Sequence, residues 1–205
     1  MNIILMTDLE GVAGVASFGE YTRPGDPYYL KAKRLLTGEV NAAVEGLSAA
    51  GIDDILVVDG HGAGGISYED LHPAARLLHG RPLAPWSRLV SVFQAYNACA
   101  MIGQHAMAGT LTGNMNHTQS SERIDYYQLN GRKIGEIAQW ALFAGALEIP
   151  LIFLSGDEDA CQEAEALIPG IVTAAVKQGL GRGSVISLAA PQRSEEHTSE
   201  LQSHM

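Results

Sequence analysis

The sequence predicts an α/β fold: a largely parallel sheet flanked by helices, with one β-hairpin as decoration. Three observations carry this. Short apolar runs alternate along the chain with longer segments of helical apolar period. That alternation is the pattern of strand-helix-strand units, whose crossovers make neighbouring strands parallel. One pair, Asn130-Gly131, stands between two short extended segments and marks a tight hairpin instead.

Residues 2–7 are an apolar run that stops at Asp8, the pattern of a buried strand. Residues 11–27 carry Gly11, Gly14, Gly19, Gly25, Pro24 and Pro27 and read as a loop. Residues 28–50 place Leu35, Leu36, Val40, Ala43, Val44 and Leu47 near a 3.6 period, a helix that Gly51 stops. A strand at 55–58 closes in Asp59-Gly60-His61-Gly62. A short helix at 68–71, a strand at 75–78 and a helix at 87–95 follow. The strand at 98–102 ends in Gly103-Gln104-His105, and 124–129 with 132–134 form the hairpin arms. Then come a helix at 135–147, a strand at 150–154, a helix with an acidic first turn at 157–167, and a last strand at 171–176.

A chain of 205 residues is long enough to bury roughly 70% of its unfolded surface. Hydrophobic residues make up 46% and charged residues 18%, which excludes a disordered chain. No apolar run reaches the roughly 20 residues of a membrane helix, and the opening residues lack a basic segment before Asp8. The net charge of −10 argues against a nucleic-acid partner and suits a cytoplasmic protein that holds cations. Cys99 and Cys161 form no CxxC and read as two small buried hydrophobes.

Residues 1–192 are expected to form one α/β metal-binding catalytic domain. Residues 193–205 begin RSEEHTSELQS, polar and without apolar period. This string matches the in-frame translation of a sequencing adapter, so it is read as a foreign tail. His197 and His204 are accordingly set aside as ligands, and the natural protein is expected to continue past Gln192.

In open α/β sheets, function collects beyond the carboxyl ends of the strands. Asp8 and Glu10 follow the first strand, two apart, and point the same way if the extended chain persists. His61 follows the second strand, His105 the strand at 98–102, with His117 a short loop later; Glu136 opens a helix. Each has an ordinary reading alone, as turn former, solvated charge, core histidine or helix-start acid. Their shared location groups them. Carboxylates with imidazoles and no thiolate suit zinc, manganese or iron(II) in a catalytic site. A bridging carboxylate could join two metals, and Asp8 is placed for that.

The run Gly60-His61-Gly62-Ala63-Gly64-Gly65 formally matches a dinucleotide fingerprint. It follows the second strand, and the acidic residue expected about 20 positions on is absent from 80–85. His72 and His79 read as structural, and Asp157, Glu158 and Asp159 as acids of a helix start.

Thr7-Asp8-Leu9-Glu10-Gly11, Asp59-Gly60-His61, Gly103-Gln104-His105-Ala106, Asn114-Met115-Asn116-His117 and Asn130-Gly131-Arg132 with Gly135-Glu136 occur in the order found in the DppA-type D-aminopeptidases, zinc peptidase family M55. The chain resembles that family from Met1 to about Gln192. The family's S-x-D-x-E-G signature meets one departure, Met6 in the serine position. The resemblance implies two zinc ions per subunit held by Asp8 (bridging), Glu10, His61, His105 and Glu136, with His117 catalytic. It also implies hydrolysis of short peptides from a free amino end bearing a D-residue, as in D-Ala-D-Ala, within a ring-built homodecamer. Two alternatives stand beside it. One is a two-metal phosphoesterase, for which few cationic clamps accompany the ligand motifs. The other is a metal-binding assembly subunit without turnover, since a truncated chain is expected to be weakly active.

Overall fold

The computed structural model describes residues 1–204. Met205 and the side chains of residues 193 and 202–204 lie outside the described residues, and so does the expectation for His204. In chain order the elements are β1 (Asn2–Thr7), α1 (Phe18–Tyr21), α2 (Tyr29–Ala49), β2 (Asp54–Asp59), β3 (Ala75–Leu78), α3 (Trp86–Phe93) and β4 (Ala98–Gln104). There follow β5 (Tyr127–Leu129), β6 (Arg132–Ile134), α4 (Glu136–Gly145), β7 (Leu151–Asp157), α5 (Glu158–Leu167), β8 (Val172–Gly179), β9 (Val185–Ser187) and α6 (Ala190–His204).

The sheet order is β3-β2-β1-β4-β7-β8-β9, parallel except for the β8/β9 pair. Because successive strand side chains alternate between faces, each strand feeds two cores. Ile3, Leu5, Ile55, Val57, Ala98, Ala100 and Ile102 pack beneath α2. Ile4, Leu56, Val58, Cys99 and Met101 point the other way, against Leu89 and Phe93 of α3, Ile137 and Ala144 of α4, and Ala160 and Ala164 of α5. Strands covered on both faces read as continuous apolar runs, which is why the sequence shows them so plainly. Both cysteines are buried and free, as small core residues.

The chain leaves β1 to one side, toward β2 and β3, and returns to β4 on the other. This is a topological switch, and it opens a crevice at the carboxyl ends of β1 and β4. The β5–β6 hairpin stands outside the main sheet, turned by Asn130 (φ 50°) and Gly131 (φ 82°) as a two-residue turn of its type requires.

Several features depart from expectation; the first hairpin arm, for one, begins at Tyr127 and not at residue 124. A single helical turn, α1, interrupts the predicted loop at 11–27. Strand β4 runs on through Gly103 and Gln104. The edge strand β9 has three residues, too few to show a period. Residues 193–204, which read as aperiodic, continue α6. The side chains that α6 turns inward are Ser194, His197, Thr198 and Leu201, spaced as one helix face, but mostly polar. Helix α6 closes on α2 at Gly46, where a methyl group would stand 3.2 Å from the Thr198 backbone.

Candidate metal centre

Strand β1 delivers Asp8 to the crevice and then turns. The Asp8 N–H still donates to the Ile102 carbonyl at 2.9 Å, while Asp8 Oδ1 accepts from the Leu9 N–H at 2.8 Å. The second bond begins a side-chain-stabilised turn. Glu10 therefore faces Asp8's neighbours through a turn, and the expected strand alternation does not extend to it. That turn crosses the end of β4 at close range. The Gly11 N–H donates to the Gly103 carbonyl at 2.8 Å, and a methyl group on Gly11 would overlap the Gln104 backbone. Gly103 itself has φ 77°, open to glycine at little cost.

The six residues singled out from the sequence meet here. His61 Nε2 lies 3.4 Å from Glu10 Oε1. His105 Nε2 lies 3.2 Å from Asp8 Oδ2 and 3.5 Å from Glu136 Oε1. His117 Nε2 lies 3.6 Å from the same Glu136 oxygen, and its ring stacks on His105 with centroids 4.0 Å apart. Two sets of three donor atoms, Asp8/Glu10/His105 and His105/His117/Glu136, each fall within 4.8 Å of one another. His105 belongs to both, so the sets are contiguous; His61 joins through Glu10. His117, expected as a catalytic group, thus also stands at ligand distance.

Every histidine of the cluster is held in the same way. Nδ1 faces a backbone carbonyl: Gly64 at 3.4 Å for His61, Ala106 at 3.0 Å for His105 and Met115 at 3.0 Å for His117. A carbonyl only accepts, so in the neutral ring the proton belongs on Nδ1 and the Nε2 lone pair would point into the cluster. This is the tautomer a metal ligand needs. Glu10 Oε2 is buried without a hydrogen-bond partner, an unmet demand that a cation would satisfy. The donor set, three carboxylates and three imidazoles without thiolate, fits zinc in a catalytic setting.

Without a cation the cluster balances its charge with protons. Burial, and then the Glu10 charge, push the Asp8 carboxyl up to about 7. For Glu10, burial acts upward, but the hydrogen bond and charge of His61 outweigh it and hold the carboxyl below its usual range. Burial disfavours imidazolium at His61, yet Glu10 raises it to about 9; Asp8 and Glu136 likewise hold His105 well above its ordinary value. His117 goes the other way, lowered by burial and by neighbouring His105. Glu136 is lowered by His105 against its own burial.

Several residues that support the centre were not singled out from the sequence. Lys177, on β8, is 3% exposed, and its ammonium donates to the Glu10 carbonyl, to the Val15 carbonyl at 2.9 Å and to Asn114 Oδ1 at 2.9 Å. It pins the Glu10 turn from the far side. Burial draws its pKa down to about 8, against the nearby Asp157 charge. The Gln119 N–H donates to Glu136 Oε1 at 2.7 Å, and Glu163 accepts from the Met107 N–H at 2.9 Å, steadying the loop after His105. A lysine directly after the apolar run at 171–176 was the one available signal. His72 and His79 lie elsewhere: His72 Nδ1 accepts from the Ala74 N–H, and His79 stacks on Tyr68. Asp157 caps α5 through the Asp159 N–H. His197 approaches Ser155 Oγ at 2.7 Å, between the sheet and α6.

A cavity of about 320 Å³ opens over the cluster, lined by Asp8, Glu10, His61, His117 and Glu136, with Arg23, Ser120 and Ser121 at its polar rim. The family described as D-aminopeptidase, peptidase M55, matches residues 1–204. The D-aminopeptidase of Bacillus subtilis (strain 168) is 30% identical over 190 residues, covering 92% of this chain and 68% of the relative. The solved structure of the Zn-dependent D-aminopeptidase DppA from Bacillus subtilis, described as a self-compartmentalizing protease, superposes with a TM-score of 0.89 at 30% identity. It matches 98% of this chain and 73% of that one.

Proposed function

The chain belongs to the M55 D-aminopeptidase family of peptidases, and from that premise we propose that it is a two-zinc aminopeptidase acting on short peptides with an N-terminal D-residue, of the D-Ala-D-Ala type. The observation that carries the reading is the convergence of Asp8, Glu10, His61, His105, His117 and Glu136, with Glu10 Oε2 buried and unpaired among them. Asp8, Glu10, His61, His105 and Glu136 would hold the metals. When bound, zinc supplies a Lewis acid for the scissile carbonyl and water made nucleophilic near neutral pH.

The chain's own groups supply the rest. Burial lowers the His117 pKa, and Nδ1 is tied to the Met115 carbonyl, so that Nε2 faces the cluster as the free ring nitrogen. Its Nε2 takes the proton released as water attacks and delivers it to the leaving amine. Edge-on contact with Phe18, centroids 5.4 Å apart, fixes the ring. The buried walls around His105 and Asp8 strengthen these charge interactions by excluding water.

A homo-oligomeric ring, a decamer by resemblance, is part of the same reading. Leu111, 93% exposed, and Leu30, 73% exposed, are apolar groups that subunit contacts would cover. The described residues include no helix long and apolar enough to cross a membrane, and two buried free thiols suit a cytoplasmic setting.

The test is release of D-alanine from D-Ala-D-Ala, with p-nitrophenyl phosphate as the competing substrate. Hydrolysis of the dipeptide that a chelator abolishes and zinc restores is the expected result. Turnover indifferent to chelation, or preference for the phosphate ester, would overturn the assignment.

A further inference from the structure

Resting on the aminopeptidase part of that reading and departing from its D-Ala-D-Ala preference, we infer that a second cavity beside the candidate metal centre receives the side chain of the peptide's first residue and selects large apolar side chains, aromatic ones above all. This cavity measures about 550 Å³. It meets the first at Asp8, Gly60, Gln119 and Glu136, which line both. A carbonyl held at these carboxylates therefore has room on two sides of different chemistry. The first cavity offers Arg23, Ser120 and Ser121, hydrogen-bonding groups suited to a peptide main chain. The second is walled by Leu83, Trp86, Met101, Trp140 and Phe143. Phe143 meets Trp86 and Trp140 with ring centroids 5.1 Å and 5.6 Å apart, so the wall is a continuous aromatic surface.

An alanine methyl fills little of such a space, whereas an aromatic side chain brings roughly 150–250 Å² of surface to bury. Polar groups at the wall also point to a ligand. Gln104 is 2% exposed, lines this cavity and leaves Oε1 without a hydrogen-bond partner; Gln139 Nε2 is likewise buried and unpartnered. Unmet buried amides of this kind are rare in a finished core, and here they would meet the polar atoms of a bound peptide while the rings meet its side chain.

Trp86 and Trp140 are the chain's two tryptophans, so intrinsic fluorescence reports on this cavity directly. Metal-free protein is titrated with D-phenylalaninol and with D-alaninol. In parallel, kcat/KM is measured for D-Phe-D-Ala and D-Ala-D-Ala on the zinc-loaded chain and on Trp86→Ala, whose side chain is 68% exposed. D-phenylalaninol is expected to shift the emission saturably and to bind at least about tenfold tighter than D-alaninol, the scale of apolar pocket discrimination. The D-Phe to D-Ala ratio of kcat/KM should exceed about tenfold and fall at least about threefold in Trp86→Ala. Cleavage of D-Ala-D-Ala with no preference for D-Phe, and no fluorescence response, overturns the inference and leaves the aminopeptidase reading standing. Cleavage of neither dipeptide overturns both. A Trp86→Ala variant that loses its oligomeric state while keeping the ratio assigns the cavity to a subunit contact and also overturns the inference.

Discussion

At the residue scale, the centre depends on three imidazoles oriented from behind and three carboxylates held in front. Backbone carbonyls face Nδ1 of His61, His105 and His117, an arrangement that would turn each Nε2 toward the proposed metals once its proton is displaced. Glu10→Gln keeps the shape of the side chain but removes the charge facing His61. It is expected to lower bound zinc by at least one ion per chain, and turnover by about two orders of magnitude or more; metal analysis of the purified variant checks this. Cys99 and Cys161 give a contrasting prediction. Burial pushes both thiols up to about 12, so neither supplies a thiolate at pH 8. A thiol reagent should label no cysteine in the native chain and two in denaturant, and rapid native labelling would refute the burial.

At the scale of elements, the loops at the ends of β1 and β4 work as an interlocked pair. Gly11→Ala would drive a methyl into the Gln104 backbone and displace the turn that carries Glu10. Zinc affinity should fall at least about tenfold, read by competition with a chromogenic chelator. Lys177 holds the same turn from β8. Lys177→Met leaves three acceptors without their donor in a buried setting and is expected to cost about 3 kcal/mol or more, measured by urea unfolding. The strands that carry these loops were legible in the sequence because burial on both faces makes them apolar throughout. The helix α6 was not, since Ser194, His197 and Thr198 face inward as polar residues. Asp8, Glu10, His61, His105 and Glu136 were legible as strand-end or helix-start residues of ligand type. Gln119 was not, and Lys177 only as a lysine at the end of an apolar strand, because the groups they bond lie elsewhere in the chain.

For the whole molecule, the sheet's topological switch between β1 and β4 decides where chemistry occurs. It also sets two cavities of opposite character on either side of the Asp8 and Glu136 carboxylates. Exposed Leu30 and Leu111 lie outside both, on surfaces that the proposed ring would cover. Light scattering after size exclusion should report a closed oligomer of this chain, and substitution of Leu111 by Asp should shift it toward smaller species. A monomer at micromolar concentration would contradict the ring.

The sequence by itself determined the alternation of strands and helices, the hairpin at Asn130-Gly131 and the ligand-type residues that follow the strands. Those are local matters of periodicity, turn chemistry and residue type. Tertiary structure alone decided that Glu10 arrives through a turn, that Lys177 staples it and that aromatic rings from α3 and α4 form a second wall beside the metal residues. Each of these joins groups far apart in the chain, and only the packing of the sheet and its covering helices brings them within contact distance.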